Sequence, residues 1–165
     1  SFLIETYFRA EPSGHGGRLV AKHTDTVGYA LKVIDKVLLF ELRLPNGGVV
    51  QLGAEAKVND GKWHHIIAEA DRTAGVTRLY VDGRMIRQSE GPGHFPGSLS
   101  NTADFVVGKD FTGEIDFLRV CRGTLKDANT TIEELYAWEF DGPQYRDFTG
   151  QKVDFAQRPA GALAK

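Results

Sequence analysis

Apolar and polar residues alternate from the start of the chain. Phe2, Ile4, Thr6 and Phe8 share one parity and Leu3, Glu5, Tyr7 and Arg9 the other, the period of two that marks a strand with one face toward a core. Short runs of this kind, bounded by turn residues, predict strands at 2–9, 18–22, 28–34, 37–44, 48–52, 63–70, 77–82, 84–88, 104–108 and 113–121. Such spacing is that of a β-sandwich rather than of βαβ units. Asn46-Gly47-Gly48, Asp60-Gly61 and Asp82-Gly83 supply residues that accept positive φ at tight turns. The stretch Gly91-Pro92-Gly93-His94-Phe95-Pro96-Gly97 holds too much Pro and Gly for a central strand. It is expected at the rim of the sandwich, where recognition loops sit. A single helix signal occupies 131–136, where Thr131 can cap and Glu134 can reciprocate. Trp138-Glu139-Phe140-Asp141-Gly142 reads as one more strand, and periodicity is lost over 151–165, an irregular tail.

Composition narrows the class. A chain of 165 residues fits one domain and can bury enough surface to fold without a staple. Hydrophobic residues at 41% and charged residues at 25% place it among globular proteins, not disordered or collagenous ones. Twenty basic residues are spread among twenty-two acidic ones for a net charge of −2. No basic field therefore exists to neutralise a phosphate backbone, which argues against a nucleic acid partner. Cys121 is the only cysteine, so intrachain disulfides and multi-cysteine metal sites are excluded, and it is expected half-buried on a strand. No apolar run reaches the length of a membrane span, so no membrane insertion is expected. The chain opens directly in strand-like sequence at Ser1, as expected of a piece of a larger exported protein.

Three segments together carry a family resemblance. The first is Ser1 to Phe8, where an aromatic follows a Glu by two places; the second is Asn59-Asp60-Gly61-Lys62-Trp63-His64-His65-Ile66-Ile67 followed by Leu79-Tyr80-Val81-Asp82-Gly83-Arg84. The third is Phe111-Thr112-Gly113-Glu114-Ile115-Asp116-Phe117-Leu118-Arg119-Val120. In this order and spacing they resemble the laminin-G-like jelly-roll domains of the concanavalin-A-like lectin/glucanase superfamily. The resemblance covers about residues 1 to 136 and implies an all-β, antiparallel two-sheet jelly-roll sandwich, to which the residues add one short helix at 131–136. Asp60-Gly61 would turn the chain, Trp63 would anchor the next strand in the core, and Asp82-Gly83 would close a hairpin. The family's usual first segment, a Trp-x-Phe-Asp strand leading to Asp-x-x-Gly and Gly-x-Leu, is missing before Ser1. Trp138-Glu139-Phe140-Asp141, Asp147-Phe148-Thr149-Gly150 and Gly161-Ala162-Leu163 follow that order at the other end. Either 137–150 supplies the missing strand, giving one sandwich over 1–150, or it begins a second module; an exposed apolar edge favours the first.

The candidate chemistry is sparse. Glucanases of the superfamily place Glu-x-Asp-x-Glu or Glu-x-Asp-x-x-Glu on one strand, and a retaining glycosidase needs two carboxyls about 5–5.5 Å apart. Here Glu114 and Asp116 are followed by Leu118 and Arg119 where the third carboxylate would stand, so hydrogen bonds or a structural ion pair are the expected role. His64 and His65 are adjacent on a strand, point to opposite faces and cannot chelate one ion together. The resemblance makes a structural Ca²⁺ conceivable, with Asp25 in the loop 22–28 as the candidate ligand, although no Asp-x-Asp-x-Asp cluster is present. Sugar binding needs an aromatic face for the C–H side of a pyranose and planar polar groups for its hydroxyls. The rim candidates are Arg18, His23, Tyr29, His94 and Phe95, with Tyr145 and Arg146 able instead to pin the C-terminal segment.

The expected function is therefore that of a non-catalytic, lectin-like carbohydrate-binding accessory module of a larger extracytoplasmic protein. A polysaccharide or glycan is its expected partner and no cofactor is required. A protein-interaction or adhesion module on the same fold is the alternative, and a glycoside hydrolase using Glu114 is the third reading.

Overall fold

The computed structural model describes residues 1–12, 14, 16–89 and 97–125, together with the backbone of 90, 133–139, 145–146 and 152–153. Its elements are thirteen strands: β1 (Phe2–Ala10), β2 (Gly16–His23), β3 (Gly28–Ile34), β4 (Val37–Arg43), β5 (Val49–Glu55), β6 (Trp63–Asp71), β7 (Val76–Val81), β8 (Arg84–Glu90), β9 (Val106–Val107), β10 (Gly113–Arg122), β11 (Glu133–Glu139), β12 (Tyr145–Arg146) and β13 (Lys152–Val153). They form a six-stranded sheet in the order β11-β10-β1-β6-β7-β8, a five-stranded sheet in the order β5-β4-β3-β2-β9, and a short β12-β13 pair. Every pairing is antiparallel. The two large sheets share one core, as in a jelly roll. Ile4, Phe8, Ile66, Leu79 and Leu118 from the first sheet meet Leu19, Leu31, Leu38, Phe40 and Leu42 from the second, all at most 1% exposed.

The turn chemistry explains the registers. Val81 and Arg84 face each other across a two-residue connection in which Asp82 (φ 50°) and Gly83 (φ 80°) both take the left-handed conformation. A primed turn whose twist matches its strands requires this. In the two-residue β3–β4 connection, between the partners Ile34 and Val37, Asp35 (φ 53°) takes positive φ and Lys36 does not. β5 shows the half-buried pattern in pure form, with Leu52 buried between exposed Gln51 and Gly53.

Three expectations are corrected. The helix at 131–136 is absent where the chain is described: Glu133–Glu139 is β11, paired with β10 from Phe117↔Glu139 to Arg122↔Glu133. A six-residue helix is shorter than the length at which helices hold themselves together. The same residues as a strand satisfy the backbone donors and acceptors of β10, which would otherwise form the sheet edge. Thr131, Ile132 and the run 140–144 lie outside the described residues. Trp63 is not a core anchor. Opposite Arg9, it faces away from the inter-sheet core and stacks on Tyr7 with centroids 5.1 Å apart, the Arg9 guanidinium 5.4 Å from its ring. Cys121 is fully buried rather than half-buried, packed with Leu3 and Ile67 on the outer side of the six-stranded sheet.

That outer side explains why β1 is buried on both faces. Glu5, 0% exposed, accepts from Arg119 Nε at 2.6 Å and hydrogen-bonds His65 Nε2 at 2.6 Å. Beside it Glu69 accepts from Arg78 Nη1 at 2.9 Å and from the Leu125 amide at 2.8 Å. Buried charges persist only when paired in this way.

Candidate functional site

A cleft of about 330 Å³ opens between the two sheets at the end where β1 begins, β6 and β10 finish, and β2 turns into β3. Phe2 of one sheet and Tyr29 of the other form its aromatic bed, with centroids 5.1 Å apart and planes tilted by 42°. Leu99 and Val120 extend the apolar surface, Ser1 and Ser100 supply hydroxyls, and Lys22, Arg72 and Arg122 bring positive charge. Phe2, Lys22, Tyr29, Val120 and Arg122 lie near strand ends, where a residue of core parity reaches the rim, Ser1 and Arg72 flank β1 and β6, and Leu99 and Ser100 come from the connection between β8 and β9. Lys22 and Tyr29 are register partners on adjacent strands, so both point inward. Gly28 makes this possible: at φ 135° it opens β3, and a Cβ there would press into the Lys22 carbonyl.

The cleft walls are tied down by polar contacts. Lys22 Nζ donates to the Ala103 carbonyl at 2.6 Å, and Asn101 Nδ2 donates to the Lys22 carbonyl at 3.2 Å. Arg72 donates from Nη2 to the Gly97 carbonyl, and its amide donates to Ser1 Oγ at 3.0 Å. These bonds hold the segment 97–103 against the mouth.

The sequence candidates are only partly brought together. Tyr29 lines the cleft and is 8% exposed. His23 follows Lys22 at the same end but on the opposite face, its Nδ1 3.0 Å from the Thr24 carbonyl oxygen. Asp25 lies exposed in the following turn, where its carbonyl accepts from Arg43 Nη1 at 2.9 Å. Arg18 lies four residues before Lys22, about 13 Å along the strand, and lines a separate hollow with Gly16, Gly17, Lys32 and Asp110. His94 and Phe95 lie outside the described residues. Among the described residues, no three His, Cys, Asp or Glu are grouped to hold a metal ion. Phe2, Lys22, Arg72, Ser100 and Arg122 were not among the candidates; for Phe2, Lys22 and Arg122 the available signal was an aromatic or charged residue at core parity near a strand end, whereas Arg72 follows β6 and Ser100 lies between β8 and β9, where no such signal exists.

Other polar groups explain themselves structurally. On the outer face of the five-stranded sheet, burial alone would raise the Glu41 carboxyl. Hydrogen bonds from Lys32, Arg43 and Gln51 at 3.0–3.1 Å outweigh it and bring the pKa from 4.5 to about 2. His64 sits between two turns, with Nδ1 2.9 Å from Asp82 Oδ2 and Nε2 3.0 Å from Asp60 Oδ1. Burial would raise Asp60, but its bonds to His64 and the Lys62 amide hold it below the usual carboxylate range. At the end opposite the cleft, Glu114 accepts from Arg9 Nη2 at 2.7 Å, both largely exposed. Glu11 lines the same hollow as this pair. Asp116 is buried on β10 at 3% exposure.

A two-layer antiparallel sandwich whose sheets share one core defines a jelly-roll domain. Residues 1–129 match the laminin-G model of the concanavalin A-like lectin/glucanases superfamily, and the chain belongs to that family. It is 30% identical over 89 residues to the laminin subunit alpha of Drosophila melanogaster, a match covering 54% of this chain and 2% of that one. The fold is similar to that of the CBM40 module of the Ruminococcus gnavus IT-sialidase, with a TM-score of 0.64 at 18% identity, covering 78% of this chain and 79% of the other. The same module bound to α2,3 sialyllactose matches with a TM-score of 0.64 at 18% identity, covering 78% of each chain. No helix among the described residues is long and apolar enough to cross a membrane.

Proposed function

We propose that the chain is a non-catalytic glycan-recognition module of a larger extracytoplasmic protein and that it takes its sugar in the end cleft. The observation that carries this reading is the Phe2–Tyr29 bed ringed by Lys22, Arg72 and Ser100. It combines an apolar surface for sugar C–H groups with side-chain donors for oxygens. A sialyllactose complex on a related scaffold supports the ligand class, although fold alone fixes no function. Calcium has no part in this reading.

The environment of Glu114 supports the non-catalytic part. A glycosidase's general acid needs a desolvated carboxyl, whereas Glu114 has 57% of its side chain exposed and is ion-paired to Arg9. Glu11 shares that hollow, so the decisive control is release of reducing ends from a glucan. Release abolished by Glu114→Gln or Glu11→Gln would make the chain a hydrolase.

Affinity electrophoresis across a polysaccharide panel, with and without EDTA, tests the binding reading. Retardation competed by free sugar and lost in Tyr29→Ala is the expected result; a natively folded chain that migrates unretarded through every gel refutes it. Protein adhesion is the second reading, favoured by the terminal strand β8, where Met85 is 54% and Ile86 36% exposed.

A further inference from the structure

The charge of the cleft goes beyond sugar binding in general. Lys22, Arg72 and Arg122 line it, and no Asp or Glu does among the described residues, in a chain whose net charge is −2. The concentration of one sign at one end runs against the overall balance. Lys22 is the register partner of Tyr29 and Arg72 stands at the same mouth, so the weight falls on Lys22 and Arg72. Lys22 spends one proton on a carbonyl 2.6 Å away and has no carboxylate partner among the described residues. A carbonyl accepts a hydrogen bond without cancelling the charge. Lys22 is also only partly exposed and its stem lies beside Tyr29. Its field therefore acts in a cleft with low-dielectric walls, where charge-assisted bonds are stronger than in water.

We infer that the cleft selects saccharides bearing an anionic group, a carboxylate or a sulfate ester, with Lys22 and Arg72 gripping the anion and the Phe2–Tyr29 bed holding the adjoining ring. The inference rests on the glycan-binding reading and narrows it. It also separates two modes of recognition: an anion held by side-chain cations needs no bridging divalent ion. Glu41 lies on the outer face of the five-stranded sheet and does not oppose the anion.

The test uses lactose, sulfated lactose and sialyllactose, which share one backbone and differ in the anionic group, titrated calorimetrically into the full chain. Binding of one or both anionic sugars at least about tenfold tighter than lactose is expected, the scale of one charge-assisted bond. That margin shrinks in about 0.5 M NaCl through screening and survives EDTA. Lys22→Gln and Arg72→Gln each bring the anionic sugar about tenfold closer to lactose. Lys22→Arg, which keeps the charge, retains the preference, and Arg9→Gln at the far end leaves it unchanged. Preference for the sulfate or for the carboxylate alone identifies the source of the anion. Equal affinity for lactose and both anionic sugars overturns the charge inference and leaves the glycan reading standing, and binding abolished by EDTA overturns the metal-free grip. If none of the three sugars and no polysaccharide binds a chain with an intact melting transition, the glycan reading falls and this inference with it.

Discussion

Glu5→Ala is the sharpest test of how the six-stranded sheet tolerates charge on a strand buried on both faces. Glu5 is 0% exposed and gives one oxygen to Arg119 Nε and the other to His65 Nε2, each at 2.6 Å. The three residues come from neighbouring strands, with Glu5 opposite Arg119 in the β1–β10 register and β6 on the other side. Truncation removes the acceptor that Arg119 and His65 share and takes from an enclosed guanidinium the carboxylate it bonds at 2.6 Å. Breaking a buried pair from one side costs about 3–5 kcal/mol. For a chain of this length that is a fall in Tm of roughly 6–20 °C. Urea unfolding should show a lower midpoint at unchanged slope, because the area exposed on unfolding is nearly the same. Glu5→Gln keeps the shape and one acceptor, and should fall between the two. The cleft lies on the other face of the sheet, so sugar affinity of the folded fraction should be unaltered. A loss below about 1 kcal/mol for Glu5→Ala would mean that water reaches the triad, and the account of a dry outer face would be refuted.

Three further outcomes follow from the same reasoning. Glu41 has a folded pKa of about 2 against 4.5, so its stabilisation is present above pH 4.5 and is lost as the pH falls toward 2. Discounted for the partial exposure of Arg43, this is about 1–2 kcal/mol; Glu41→Gln should flatten the stability profile in that window, and an unchanged profile would refute the network. His64→Ala should cost about 1–2 kcal/mol by cutting both bonds between the 60–61 and 82–83 turns, read as faster amide exchange at Gly61 and Gly83 than in the parent, with equal exchange as the contrary result. Gly28→Ala should cost more than 1 kcal/mol from strain at positive φ and collision with the Lys22 carbonyl, and sugar binding should weaken with it; a melting curve equal to the parent's would contradict that geometry.

The strands were legible because their signals are local. Alternation in β5, the Asp82-Gly83 turn and the bounded run of β6 each fit within ten residues. The errors arose where a distant element decides the outcome. Glu133 to Tyr136 has a credible helical cap in sequence, but β10 offers an unpaired edge that a short helix cannot outcompete. Trp63 looks like a core residue by type, yet its parity puts it with Arg9 and Tyr7 on the outer face. Glu5 looks like a solvent-facing residue until Arg119, 114 positions away, closes over it. The cleft is the extreme case. Phe2, Lys22, Tyr29, Arg72 and Ser100 come from segments that only sheet pairing brings together, and in sequence Lys22 and Arg72 are indistinguishable from solvated charges. What distinguishes Lys22 is parity: it occupies an inward position on β2, paired with Tyr29, at the point where the core ends. A charge at such a position must either reach solvent along the rim or meet an anion there, and the sugar titrations separate these two fates.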